Sequence, residues 1–291
     1  MKNSINEDSE RQAGKRAALN QLIEEAFDET KPEEVREAHG IRKWEKLFDR
    51  CFSENEIELC EKIIQSARKV QDTLCKSCQA KIFLAEGELY QKTNDYESAR
   101  NSFDKSLNLQ SRICRAERFT YKAANNSQRH VKNVSRTRLN IHKGRLAKVL
   151  DKTASLELSQ GKFPIAKRYF LRAVVICREL RLSKYLAMSL IGLAEVNRVE
   201  FTFVPAGEFL EEALSIGKEI KDGAIIADAQ YYLGLISVQL AKWEEALPWF
   251  EASLATASSR RDKTRIATSR FQLGVIEQAL GNHSKACLQY N

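Results

Sequence analysis

The chain has 291 residues, of which 43% are hydrophobic, and it contains only 12 Gly and 4 Pro. This composition argues against disorder along the whole chain and against a β-rich fold with many tight turns, and it favours helices joined by short connections. No apolar run reaches the roughly 18 residues of a membrane-spanning helix, and the polar N-terminus resembles neither a signal peptide nor a transit peptide. We therefore expect a cytoplasmic or nuclear protein without a membrane span.

The net charge of +8 comes from one stretch of the chain. Between Ser111 and Lys148 there are eleven Lys or Arg and a single acid, Glu117, whereas the rest of the chain holds 36 basic and 38 acidic residues. The basic character is therefore local.

In chain order, residues 1–30 are a polar N-terminal lead in which we predict a short helix. Residues 31–110 are predicted to hold a degenerate helical hairpin followed by a first clear one. Thr30–Glu33 and Ser53–Glu56 each place Glu three positions after a hydroxyl residue, a pattern that predicts the start of a helix.

The seven cysteines lack the spacing of a disulfide framework. Only Cys75 and Cys78 form a C-x-x-C pattern. A zinc site would need two further ligands at suitable spacing, and a redox motif would be expected in a βαβ context, which is absent. We interpret both residues as small buried packing side chains at a helix junction, and we predict no metal and no cofactor.

A forty-residue period runs through residues 147–291, where we predict four repeats, the last incomplete. Leu233-Gly234, Ala241-Lys242-Trp243, Ala246 and Phe250 recur as Leu273-Gly274, Gly281-Asn282-His283, Ala286 and Tyr290. Earlier copies in the same frame are Ala194, Ala206 and Leu210, then Ala154, Ala166 and Phe170, and upstream Gly87, Ala99 and Phe103.

Each copy predicts a helical hairpin. The two small residues, such as Gly234 and Ala246, let the helices approach closely, and the aromatic residue or Leu four positions later fills the space between them. All the periodic segments follow the helical pattern, so we predict helix, turn, helix throughout.

These residues resemble the tetratricopeptide repeat (TPR) family: Leu-Gly in the first helix, Gly-Asn-His or Ala-Lys-Trp at the turn, then Ala and an aromatic residue. The resemblance covers roughly residues 80–291 and, weakly, residues 40–73, with a longer period than the family's usual value of about 34. It implies an all-α, right-handed α-solenoid of helix-turn-helix repeats whose first helices line a concave groove. The implied function is a protein–protein interaction scaffold or adaptor that binds a partner segment in that groove, within a larger assembly.

Family geometry suggests which side chains face the groove. The predicted groove residues are Leu84, Glu88, Ile191, Glu195, Arg198, Tyr231, Leu235, Phe271 and Val275. Tyr231 and Phe271 would face the groove rather than the core and would anchor a bound protein or peptide. The alternative is that they pack against a following repeat or a capping helix. No motif of a nucleophile, phosphate loop or metallohydrolase occurs, so we expect no catalytic residues and no enzyme.

Residues 111–146 are predicted to be a basic insert, formed by an extended helix and a loop from about Asn125 to Val134. Its basic patch is Arg112, Arg115, Arg118, Lys122, Arg129, Lys132, Arg136 and Arg138. The patch suits an acidic partner, which could be RNA, anionic lipid or an acidic protein surface, and the alternative is a solvated helix extension and loop. Aromatic residues are scarce there, which argues against a base-stacking platform. An RNA-associated scaffold that uses residues 111–148 is the alternative function.

The last repeat lacks the final turns of its second helix, because the sequence stops one residue after Tyr290. An uncapped repeat leaves its stacking face open to water. We therefore expect self-association through this open repeat, or a chain that is a fragment of a longer protein.

Overall fold

The computed structural model describes residues 41–53, 55–69, 71, 74–124 and 129–290. Those residues contain twelve α-helices and no strand, which confirms the predicted all-α fold. The helices are α1 Ile41–Ser53, α2 Ile57–Lys69, α3 Lys76–Lys92, α4 Tyr96–Ala123, α5 Arg129–Ser159, α6 Phe163–Leu180, α7 Ser183–Val199, α8 Phe203–Glu219, α9 Gly223–Gln239, α10 Trp243–Arg260, α11 Lys263–Ala279 and α12 His283–Tyr290. Among the described helices we find no candidate membrane-spanning segment. The N-terminal lead and Thr30–Glu33 lie outside the described residues.

The chain divides into two compact units, and the boundary after Ala116 falls within α4. The core of the first unit is built around Trp44 and Phe48 of α1 and Ile63 of α2. The indole Nε1 of Trp44 donates a hydrogen bond to the Ile63 carbonyl at 3.1 Å. A polar atom on a ring that is only 2% exposed is thereby satisfied.

The second unit contains four consecutive hairpins, formed by α5 to α12. In the last two of these hairpins, a glycine of the first helix contacts an aromatic ring that lies 16 positions later, on the second helix. A Cβ added at Gly234 would lie 2.8 Å from the ring of Phe250, and one at Gly274 would lie 2.4 Å from Tyr290. Ala246 is fully buried in the same hairpin as Phe250. The predicted role of small residues in close helix contact is confirmed for these two hairpins.

The seven connections between successive helices from α5 to α12 recur every 20 residues. Each has one residue with positive φ, between 53° and 79°: Gly161, Arg181, Phe201, Lys221, Ala241, Arg261 and Gly281. The next residue donates its N–H to the carbonyl five positions earlier, at 2.8–3.0 Å in all seven connections. This bond satisfies a carbonyl that the helix end leaves open. The forty-residue sequence period therefore corresponds to two half-repeats of equal length.

Two expectations about the connections are wrong. Ser53 does not start α2: it is the last residue of α1, and its hydroxyl donates to the Arg50 carbonyl at 2.8 Å. The N–H of Glu56 donates to the Cys51 carbonyl at 2.9 Å, so this segment ends one helix rather than capping the next. Residues 129–134, expected in a loop, are instead the first turns of α5, whose buried face begins at Ser135 and continues through Leu139 and Leu146. Extending an existing helix adds one backbone hydrogen bond for each residue fixed, so the residues before that face can join the helix.

The interpretation of the C-x-x-C pair as buried packing residues is also wrong. Cys75 is exposed and Cys78 is half-buried. Cys75 is the N-cap residue of α3. An N-cap residue flanks the helix and is only half within it, so its side chain does not belong to the packed face of the helix. The junction between the helices is therefore present, but these thiols do not fill it.

Candidate functional site

The predicted groove residues of the second unit lie on three successive first helices. Ile191, Glu195 and Arg198 belong to α7, Tyr231 and Leu235 to α9, and Phe271 and Val275 to α11. Helix α9 contacts both α7 and α11. We call this face, formed by the seven residues, the candidate groove. The other two predicted groove residues, Leu84, which is 8% exposed, and Glu88, which is half-buried, lie on α3 in the first unit.

On α7, the charged members of the candidate groove pair with each other. Nε and Nη2 of Arg198 each donate to a carboxylate oxygen of Glu195 at 2.8 Å. The side chains are only 17% and 18% exposed. Hydrogen bonding to Glu195 raises the pKa of Arg198, so the arginine remains charged. This bidentate pair is neutral overall and geometrically fixed, and it offers polar edges without a net charge.

On α9, Tyr231 and Tyr232 lie between an arginine and the core. The guanidinium of Arg265 lies 4.2 Å from the ring centroid of Tyr231 and 5.9 Å from that of Tyr232. Tyr231 also makes an edge contact with the fully buried Phe250, at 5.4 Å between centroids. Tyr231 is therefore partly a core residue, and the expectation that it faces only the groove is wrong.

A second ion pair connects α11 to α9. Nη2 of Arg265 donates to Oδ1 of Asp228 at 2.5 Å. Burial raises the pKa of Asp228, and the charge of Arg265 opposes that rise. Burial, followed by the nearby charge of Glu195, raises the pKa of Tyr232 to about 12, so this phenol stays protonated. The face thus combines neutralised ion pairs with aromatic rings.

The apolar members of the candidate groove differ in how much surface they leave free. Phe271 is 56% exposed, and its ring lies 6.1 Å from that of Tyr290. Leu235 and Val275 are half-buried, whereas Ile191 belongs to the core. Phe271 is therefore the one predicted groove residue with a large free apolar surface.

Sequence reasoning missed Asp228, Tyr232 and Arg265. A signal was present in the repeat frame, because Arg265 stands where the preceding copy has Ile225. A charged residue at a position that is apolar one repeat earlier indicates a partner on the neighbouring helix. The identity of that partner depends on how the helices pack.

The basic patch lies on α4 and α5. Lys132 is half-buried, and the other members of the patch are exposed. In the second unit the cations are accompanied by exposed apolar side chains. These are Phe119, Val131, Val134 and Ile141. The patch is therefore not purely polar.

The sequence matches no protein-family model and no curated protein sequence, whereas the fold is similar to solved structures. A Rap protein complexed with Competence and Sporulation Factor aligns with a TM-score of 0.64 and 15% sequence identity, over 97% of this chain and 75% of the Rap chain. The apo form of RapI aligns with a TM-score of 0.59 and 12% identity, over 86% of this chain and 94% of RapI. BtubC (BKLC) from P. vanneervenii aligns with a TM-score of 0.57 and 17% identity, over 81% of this chain and 87% of BtubC.

Together with the hairpins and their regular connections, the similarity to these solved structures shows a TPR-like helical-repeat fold. The family resemblance seen in the sequence is confirmed at the level of the fold.

Proposed function

We propose that the second unit is a protein-binding module that takes a partner segment along the candidate groove, and that the chain acts as an adaptor within a larger assembly. The observation that carries the proposal is the exposed Phe271 beside the half-buried Val275, on a helix that also contributes to a neutralised ion pair. Aromatic anchors on a helical surface are a common source of affinity for peptides.

The chemistry of the face indicates what kind of segment it suits. Glu195 neutralises Arg198, and Asp228 neutralises Arg265, so the ligand does not need a particular net charge. We expect an apolar side chain of the ligand to pack on Phe271, with neighbouring polar groups reaching the edges of the two ion pairs. The fold similarity to a Rap protein crystallised with Competence and Sporulation Factor supports a binding role.

Selection from a random peptide library against the full chain supplies a defined probe. We expect Phe271→Ala to weaken binding of the selected peptide at least tenfold, the effect of losing a hot-spot residue worth about 1.4 kcal/mol or more. Phe119→Ala is the matched control, because Phe119 is a 68% exposed phenylalanine on α4, a helix that contributes no groove position. Equal losses in the two variants, or no loss in Phe271→Ala, would contradict the proposal.

A second candidate function is RNA binding by the basic insert. It is favoured by five exposed cations within the second unit: Arg118, Lys122, Arg129, Arg136 and Arg138. Five phosphate contacts to a single strand would lower affinity about 100-fold between 50 and 200 mM salt. Fluorescence anisotropy with a labelled single-stranded RNA measures this slope, whereas peptide binding in the candidate groove should change little.

A further inference from the structure

The cysteines of the described residues fall into two chemical classes. Cys51, Cys60, Cys114 and Cys177 are buried. Burial raises the pKa of Cys60 to about 12 and that of Cys177 to about 11, so both remain protonated thiols of low reactivity. Cys75, Cys78 and Cys287 are the accessible ones, and only Cys75 and Cys78 have another accessible thiol beside them.

The two thiols are in direct contact. The sulfurs of Cys75 and Cys78 are 3.0 Å apart, with the Cys75 thiol donating to the Cys78 sulfur. A disulfide bond is about 2.05 Å long, so closing it requires a movement of roughly 1 Å, which small side-chain rotations supply. The pair is therefore close enough to be oxidised within its own chain.

The local backbone holds this geometry. The N–H groups of Cys78 and Gln79 both donate to the Cys75 carbonyl, at 2.9 and 3.1 Å. The side-chain amide of Gln79 donates to the carbonyls of Gln71 and Leu74, each at 3.0 Å. The first turn of α3 is thus fixed to the connection that precedes it, and the two sulfurs stay on one side of that turn.

A packing role does not explain an exposed thiol, and a metal site would require more ligands. Among the described residues, no group of three or more His, Cys, Asp or Glu side chains is arranged to hold a metal ion. What the pair does have is accessibility, contact and a sequence separation of three, which together suit thiol–disulfide exchange.

We propose that Cys75 and Cys78 form a reversible dithiol–disulfide site whose substrate is a small-molecule disulfide. The more exposed Cys75 attacks as the thiolate. Its sulfur bonds to one sulfur of the substrate, the substrate S–S bond breaks, and one thiolate leaves. Cys78, as a thiolate, then attacks the Cys75 sulfur of this mixed disulfide and releases the second thiolate. The two cysteines are oxidised to one disulfide, the substrate is reduced to two thiols, and the two cysteine protons end on them.

The proposal is tested on the reduced full chain, with oxidised glutathione as the probe. Free thiols are then blocked with N-ethylmaleimide in denaturant, and the protein is digested with trypsin. Cleavage after Lys76 separates the two cysteines into the peptides 70–76 and 77–81, so the disulfide is seen as these two peptides linked together. Effective concentrations on short tethers are of millimolar order. At about 0.1 mM reduced glutathione we therefore expect the linked peptides to exceed glutathione adducts of Cys75 roughly tenfold.

Single substitutions separate this exchange from ordinary thiol modification. In Cys75→Ser we expect Cys78 to carry a glutathione adduct, and in Cys78→Ser the adduct should remain on Cys75. Cys287→Ser, which removes the exposed but isolated thiol, should leave the linked peptides unchanged. The proposal is overturned if, in the wild-type chain, Cys75 and Cys78 each carry their own glutathione adduct, or if both stay free while Cys287 is modified. Dithiothreitol should restore both thiols, which tests reversibility.

Discussion

Gly192 gives the sharpest test of the packing that builds the repeats. It lies inside α7 against the ring of Phe170 from α6, and a Cβ added there would lie 2.3 Å from both Cε1 and Cζ of that ring. Carbon atoms in contact lie about 3.5–4.0 Å apart, so Gly192→Ala would force the ring to retract by roughly 1 Å. Phe170 is 1% exposed, so the space must come from its packed neighbours.

The magnitude follows from two opposing effects. Overpacking a core costs about 1–3 kcal/mol, whereas Ala is favoured over Gly inside a helix by about 1 kcal/mol. Because two ring atoms clash, we expect Gly192→Ala to lower the free energy of unfolding by about 1–2 kcal/mol. Gly207→Ala in α8 is the matched control, since no atom beyond its chain neighbours and the adjacent backbone of its own helix lies within 4 Å of its added Cβ. That variant should gain about 0.5–1 kcal/mol.

Urea unfolding followed by circular dichroism measures both variants. Repeat units can open separately, so amide hydrogen exchange should also show where protection is lost, and we expect the loss in α6 and α7. Adding Phe170→Leu to Gly192→Ala should recover part of the lost stability, because the smaller side chain vacates the clash. If Gly192→Ala were as stable as the wild type, or gained as much as Gly207→Ala, the close approach of α6 and α7 would be refuted.

Three further predictions concern the connections and the hairpin contacts. Ala241 has a φ of 58°, and this backbone conformation costs a non-glycine residue about 1 kcal/mol or more. Ala241→Gly should therefore raise the urea midpoint of unfolding. A lower midpoint would contradict the turn geometry. The Asp222 carboxylate accepts the N–H of Ala224 at 3.0 Å, and its hydrogen bond with Lys184 lowers its pKa. The stabilisation it gives is therefore present at neutral pH and is lost as the pH falls through the depressed pKa, below about 4. Asp222→Ala should lower the free energy of unfolding by about 1 kcal/mol at pH 7, and the variant should approach the wild type in acid. Asp222→Asn should lose less stability. A difference in stability that stays constant across that pH range would argue against an ionised cap. The Ser253 hydroxyl donates to the Ala227 carbonyl at 2.8 Å, and both residues are buried. Ser253→Ala should therefore lower the free energy of unfolding by about 1 kcal/mol in the same urea assay. An unchanged midpoint would show that this hydrogen bond adds no stability.

The sequence by itself determined the helical hairpins and their period. Gly234, Ala246 and Phe250 recur at fixed spacing because the two helices of a hairpin meet at these positions, as Gly274 and Tyr290 do in the next copy. That is a local relation, which a repeated pattern records directly, and the pairing of Gly234 with Phe250 follows from it. The extent of the basic insert was only partly predictable, because the polar residues before Ser135 obscured a helix whose buried face begins there.

The candidate groove was predictable in its positions but not in its composition. The repeat frame placed Tyr231 and Phe271 at equivalent positions of α9 and α11, yet one packs on Phe250 and carries a guanidinium on its ring, while the other remains exposed. The difference arises because Arg265, on the following first helix, covers Tyr231. Which side chain reaches across from a neighbouring helix depends on the distance and angle between the two helices, and no pattern within a single repeat encodes that.

The cysteine pair shows the same division. The spacing of Cys75 and Cys78 was evident from the sequence, and it was compatible with packing, with a metal site and with redox chemistry. Only the tertiary structure decided how the two residues are exposed, because solvent access depends on the direction in which α3 begins and on what packs beside its first turn. Periodicity determines which faces of a helix are buried along its length, whereas the ends of helices, where these thiols lie, are decided by how the elements come together.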